Sequence, residues 1–184
     1  AMTGYIESLT DPSYTGQILT LTYPLIGNYG VPSTIDDEVV PKYFESNKIH
    51  VNGLIVSNYS FRYHHWTAAK SLSEWLKENK VPGLFGIDTR ALTKKIRERG
   101  TILGKIIFDE DIDFYNPDEH HLVKQVSIKE KRDLGNGKYR IMLVDCGAKN
   151  NIIRCLLKRD TTVVQVPYDT DISKENYDGL IISN

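Results

Sequence analysis

The sequence predicts an α/β protein in two parts. Residues 1–134 form a region of mixed β and α, and residues 139–184 form the first half of a doubly wound parallel sheet. Three observations carry this. Gln17 to Tyr23 alternates, with Leu19, Leu21 and Tyr23 on one face and Thr20 and Thr22 on the other, the pattern of a half-buried strand. Arg140 to Asp145 is instead a nearly continuous apolar run, as parallel strands covered on both faces require. From there strand, helix, strand, connector and strand follow one another, the opening of a doubly wound sheet.

The elements follow in order. Pro24 and Gly27-Asn28-Tyr29-Gly30-Val31-Pro32 break the first strand with turn chemistry. Leu54, Ile55 and Val56 make a short buried strand over Gly53–Ser57. Ala68, Leu72, Trp75, Leu76 and Asn79 fall on one stripe, which predicts a helix over Thr67–Asn79 ended by Pro82-Gly83. Asp88 is a good N-cap for a second helix, Thr89–Arg99, anchored by Leu92 and Ile96 and closed by Gly100 in a left-handed conformation. Thr101–Phe108 is predicted as a strand. The charged, then glycine-rich stretch Lys129–Lys138 is expected to be a linker or exposed hairpin, and the domain boundary falls there. Beyond it, Lys149–Arg159 is a helix with Ile152, Ile153, Leu156 and Leu157 inside, and Thr162–Val166 and Leu180–Ile182 are strands. Three parallel strands with one crossover helix make half a sheet. The expectation is therefore part of a larger protein, with an unpaired edge and an uncovered apolar face near Ser183-Asn184.

The 184 residues carry 23 Lys plus Arg against 24 Asp plus Glu, a formal net charge of -1, which argues against backbone-driven nucleic-acid binding. With 40% hydrophobic and 26% charged residues, the composition is that of a globular domain. There is no apolar run of roughly 18 residues to span a membrane. Cys146 and Cys155 make no disulfide framework, so the thiols are expected to be reduced and the chain cytoplasmic.

Each candidate for chemistry has a plain alternative. Cys146 sits between a buried strand and a helix start, where a thiol can be activated, or it is a small strand-end residue. Cys155 lies in the apolar part of a helix and is expected to pack. The pairs His64-His65 and His120-His121 chelate poorly, because neighbours in an extended segment point to opposite faces; no metal site is expected. Thr10-Asp11-Pro12-Ser13-Tyr14 is a polar turn whose Ser13 also offers a hydroxyl to a ligand. Arg90 stands in the first turn of its helix, where the dipole disfavours a cation. It marks a helix start only, or an ionic or interface role; Lys94, Lys95, Arg97 and Arg99 read as a solvated basic face, better suited to docking a protein than nucleic acid.

These residues also carry a resemblance. Met2-Thr3-Gly4-Tyr5, Glu7-Ser8-Leu9-Thr10-Asp11-Pro12-Ser13-Tyr14, Gln17-Ile18-Leu19, Leu21 to Gly30 and Gly86-Ile87-Asp88-Thr89-Arg90-Ala91-Leu92-Thr93 resemble the small, glutamine-amidotransferase subunit of carbamoyl-phosphate synthetase. Asp145-Cys146-Gly147-Ala148-Lys149-Asn150-Asn151-Ile152-Ile153-Arg154 is similar to the first strand-to-helix turn of its glutaminase domain. Tyr43-Phe44-Glu45-Ser46 and His65-Trp66 lean toward the eukaryotic pyrimidine-pathway form, with the bacterial stand-alone subunit and the arginine-pathway form as the others.

The resemblance implies an N-terminal domain that docks on the large synthetase subunit or fused synthetase domain. A truncated class I glutamine amidotransferase domain follows it. The family hydrolyses L-glutamine with a Cys-His-Glu triad and passes ammonia to the synthetase, which consumes ATP and bicarbonate; this chain itself needs no cofactor. Relatives continue past Ser183-Asn184 with a Gly-Pro-Gly-Asp loop, and their triad lies beyond it. By that carry-over none of the 184 residues is catalytic, Cys146 included, and the chain alone is expected to be inactive. Ser13 maps to a glutamine-binding position. By the same carry-over, a family strand preceding Thr3 is expected to be absent from these residues. The rival expectations are a non-catalytic docking or regulatory module for a synthetase, and a small-molecule-binding α/β protein.

Overall fold

The computed structural model describes residues 4–33 and 39–184. Met2 and Thr3 of the resemblance lie outside the described residues. In chain order the elements are α1 (Tyr5–Thr10), β1 (Ile18–Ile26), β2 (Val31–Pro32), β3 (Gly53–Tyr59), β4 (Ala68–Lys70), α2 (Leu72–Glu78), β5 (Gly83–Leu84), α3 (Thr89–Arg99), α4 (Leu122–Val126), β6 (Arg132–Leu134), β7 (Tyr139–Asp145), α5 (Asn150–Leu157), β8 (Thr161–Pro167) and β9 (Gly179–Ile182).

Two sheets organise the molecule, each with its own core. The first is parallel, in the order β1-β3-β5, with Ile18 opposite Gly53 and Leu21 opposite Val56. Leu54 and Val56 of β3 bury against Leu72 and Leu76 of α2 and against Tyr5 and Leu9 of α1. The second runs β6-β8-β7-β9, with β7, β8 and β9 parallel as expected. Its alternate residues are covered on both faces. Leu143 and Val163 pack under Ile153 of α5, while Met142, Val144, Val164 and Val166 form a separate cluster on the other side. That explains the unbroken apolar run of β7. β9 is a sheet edge and leaves Leu180 and Ile182 exposed.

Several elements depart from the sequence expectation. The helix expected over Thr67–Asn79 begins only at Leu72, because Ser71 caps it. The Ser71 hydroxyl accepts from the Glu74 N–H at 3.1 Å, and the Glu74 carboxylate accepts from the Ser71 N–H at 2.8 Å, a reciprocal pair that halts the helix there. Ala68–Lys70 joins β2 as an antiparallel strand instead. Thr101–Phe108 forms no strand and belongs to no sheet among the described residues. Its β-branched and apolar residues suit a strand, yet a strand also needs a ladder partner. Part of the expected linker is a sheet edge: β6 pairs antiparallel with β8, Leu134 opposite Val163. α1 escaped sequence analysis, being a six-residue helix too short for periodicity to register. Cys155 is exposed rather than packed, since the inward stripe of α5 runs through Asn150 and Ile153. Asp88 does cap α3, its carboxylate accepting from the Ala91 N–H, and Gly100 does take a positive φ of 75°.

α5 joins the two cores. Its N-cap residue is Lys149, whose side chain has no acceptor to offer and makes no capping bond. Glu45, far upstream, does that job. Its carbonyl accepts from the Asn150 N–H at 2.8 Å and its carboxylate from the Asn151 N–H at 2.9 Å. The same carboxylate pairs with Arg154 at 2.9 Å, with side-chain exposures of 20% for Arg154 and 11% for Glu45. Arg154 and the Asn150 amide both donate to the Phe44 carbonyl. Glu45 is held in turn by α1, its N–H donating to Thr10 Oγ1 at 2.9 Å. Val40 crosses over to pack with Leu143 and Ile153.

Two predictions follow from this packing. Glu45→Ala strands the Arg154 guanidinium and uncaps α5, and removing one partner of a shielded ion pair costs about 3 kcal/mol; urea denaturation is expected to show that loss. His50 is buried between Thr15 Oγ1 at 2.8 Å and Ser46 Oγ at 3.0 Å. Burial first, and then the charge of Lys48, push its pKa down from 6.5 to about 4. The folded state therefore binds this proton less readily than the unfolded chain. The stability contribution is complete above about pH 6.5 and drains away as the pH falls toward 4. The thermal midpoint should drop across that window, and more shallowly in His50→Gln.

Candidate functional site

In open parallel sheets the productive crevice lies beyond the carboxyl ends of the strands. Here β7 ends in Asp145, whose side chain is nearly fully buried. One carboxylate oxygen accepts from the Gly147 and Ala148 N–H groups at 2.9 and 2.6 Å. The other accepts from the Ile128 N–H at 2.8 Å and the Gln165 amide at 3.0 Å. Four donors on one carboxylate offset its desolvation. They also fold the strand end into a tight turn. β9 completes the rim, its following residue Ser183 accepting from the Cys146 N–H at 2.8 Å.

The polar turn of the first unit sits against this rim. The Asp11 carboxylate accepts from the Ser13 N–H at 2.9 Å and starts a short 3₁₀ turn over Pro12–Tyr14. Pro12 abuts Gly147: a Cβ placed on Gly147 would lie 3.3 Å from Pro12 Cβ and 3.0 Å from Val126 Cγ2, and its φ is +117°. Only glycine meets both demands without strain. Lys149 ties the two turns together, its Nζ 2.6 Å from Asp11 Oδ2. Burial alone would raise the Asp11 carboxyl. The Lys149 ammonium and hydrogen bonds from Ser13 outweigh that and hold the pKa below its ordinary value.

The predicted site residues fall as follows. Ser13 is exposed on the turn that Pro12 docks against Gly147. Cys146 is half-buried. Burial, helped by the Asp145 charge, pushes its thiol up, opposite to what a nucleophile needs, and no histidine hydrogen-bonds it among the described residues. Gly27–Gly30 is a turn closed by Gly30 N–H to the Gly27 carbonyl. His120 stacks on Tyr115, and His121 caps α4 by accepting from the Lys124 N–H. Among the described residues no cluster of His, Cys, Asp and Glu could hold a metal, and no helix is long and apolar enough to cross a membrane. Sequence reasoning missed Lys149, Ser183 and Glu45. Glu45 and Lys149 lie in segments that carry the resemblance, but nothing in the sequence marks one as a helix cap or the other as the partner of Asp11.

The comparisons bear on the same segments. The family model described as carbamoyl-phosphate synthase small chain, CPSase domain, matches residues 1–106. That is more than half of the chain. The chain belongs to the carbamoyl-phosphate synthase small-chain family. It is 48% identical, over all of its length, to multifunctional protein ura1 of Schizosaccharomyces pombe. It is 50% identical over 98% of its length to carbamoyl-phosphate synthase [ammonia], mitochondrial, of Homo sapiens, and 51% identical over its whole length to multifunctional protein CAD of Squalus acanthias. It spans 10%, 12% and 8% of those proteins respectively. For a small-chain family member, the joint between Pro12 and Gly147 is the feature that brings the polar turn to the sheet's open end.

Gly147→Ala tests that joint. The positive φ and the two close neighbours should cost about 2 kcal/mol. Hydrogen exchange should rise at residues 11–14 as well as at the mutated turn, because Pro12 loses its seat.

Proposed function

We propose that this chain is the glutamine-amidotransferase arm of a carbamoyl-phosphate synthase, working in the cytoplasm as part of pyrimidine synthesis. Its role is to bind L-glutamine at the strand-end rim and to dock on a synthetase region that uses ATP and bicarbonate. The reaction to be served is hydrolysis of the glutamine side chain. A thiolate attacks the amide carbon, the C–N bond breaks, ammonia leaves, and water cleaves the thioester to glutamate. Neither cysteine here is suited to that attack: the Cys146 thiol is pushed up and Cys155 lies exposed on the outer face of α5. The chain's own share is binding and positioning, with the Ser13 hydroxyl as the proposed glutamine contact. By the carry-over of the family motif, this chain alone is expected to release no glutamate.

The observation that carries the reading is the seating of the Asp11–Tyr14 turn on the end of β7, in a chain about half identical throughout to carbamoyl-phosphate synthases. Unpaired Cys146 and Cys155 fit a reducing compartment. The ammonia-named human relative is as similar as the multifunctional ones, so the nitrogen donor is decided by assay.

The test is a chimera in which this chain replaces the segment it matches in the Schizosaccharomyces pombe relative. Glutamine-dependent carbamoyl phosphate formation is the expected result. In that chimera Ser13→Ala should raise the KM for glutamine about tenfold, roughly 1.4 kcal/mol, and leave ammonia-dependent synthesis unchanged. A folded chimera that uses ammonia but never glutamine would sink the proposal.

A further inference from the structure

α3 presents a dense row of exposed cations: Arg97 and Arg99 stand in its last turn, where the dipole favours them, but the others do not. Arg90, Lys94 and Arg97 recur at three- and four-residue spacing on one exposed stripe, and Lys95 and Arg99 repeat that spacing on a second. Arg90 stands in the first turn, at the positive end of the helix dipole. Glu98 is the one acidic residue of the helix, and none of the five cations forms an ion pair among the described residues. In a chain of net charge -1 this concentration is local and not a general excess. Exposed apolar residues flank the helix at both ends: Ile87 is 37% exposed just before it, and Ile102 and Leu103 are 43% and 46% exposed just after it.

Like charges at helical spacing repel, and a cation in the first turn opposes the dipole, so an anionic surface laid along α3 relieves both. We propose that the exposed face of α3 is a docking surface for an acidic protein patch, with Ile87, Ile102 and Leu103 as apolar contacts at its ends. This rests on the synthetase-docking part of the proposed function and names the face and the chemistry: the partner presents Asp and Glu along a shallow groove with apolar seats at both ends. The apolar flanks favour protein over nucleic acid, whose phosphate backbone offers nothing to three exposed aliphatic side chains.

The probe is the synthetase region of the Schizosaccharomyces pombe relative, expressed without the segment this chain matches. Binding is measured by calorimetry at 50 and 300 mM NaCl. The chain should bind, and more weakly at the higher salt. Combined Arg90→Glu, Lys94→Glu and Arg97→Glu should weaken binding at least tenfold and flatten the salt dependence. The milder Lys94→Gln should move both in the same direction. Leu103→Ser should lower affinity with the salt dependence intact. Lys138→Glu with Lys158→Glu, in the second unit, should change affinity less than twofold. If the chain binds and the α3 variants bind equally well, this face is not the docking surface, while the functional reading stands. If the chain does not bind at 50 mM NaCl, the docking part of that reading fails and the proposal with it. Tighter binding to a 20-base-pair DNA duplex than to the synthetase region would also overturn it.

Discussion

The Glu45 carboxylate is the constraint on which the arrangement of the two sheets depends. A helix needs acceptors for its first N–H groups, and α5 begins after a lysine that cannot supply one. Glu45 supplies the acceptors from the other unit and spends its remaining oxygen on Arg154 in the same helix. One residue thus caps, charge-pairs and aligns α5. Because α5 packs on β7 and β8, the whole second sheet is aligned with it. The anchor is itself anchored: Thr10 Oγ1 takes the Glu45 N–H, and the Thr10 carbonyl takes the Ser46 hydroxyl. α1 and the segment around residue 45 therefore form one support, and the Asp11 turn that continues α1 is delivered to the end of β7.

A second buried carboxylate shapes what that turn meets. Asp145 is shielded from water but accepts four hydrogen bonds, one of them from Gln165, whose own carbonyl accepts from Arg132 on the edge strand. Removing such a group from water is tolerable only when its lone pairs are used in this way. The network runs from β6 through β8 to β7, so the edge strand supports the turn at the strand end. It also accounts for Cys146. Burial, and then the neighbouring Asp145 charge, push its thiol up, and its backbone N–H is taken by Ser183.

Much of this was legible in the residues. The β7–α5–β8–β9 order followed from the change of period from alternation to continuous apolar runs, and Asp88 announced the start of α3. The failures have separate causes. Ser71 and Glu74 compete locally with the helical stripe that begins at Thr67, and a capping box outweighs periodicity at a helix end. Residues 101–108 have the strand pattern, but pattern fixes only which side chains share a face. Residues 132–134 look like linker because three residues carry too little periodicity to be seen.

Fold class, the parallel second sheet, the neutral overall charge, the basic helix and the polar Asp11 turn were determined by the sequence by itself. Each of these is local or additive: it depends on spacing within about one element or on a sum over the chain. Tertiary structure alone decided that Lys149 meets Asp11, that Gly147 makes room for Pro12, and that Glu45 caps a helix more than a hundred residues away. Those contacts pair groups whose separation along the chain carries no periodic signal. Two of them satisfy N–H groups or charges that the packing brings together, and the Gly147–Pro12 contact is set by steric fit.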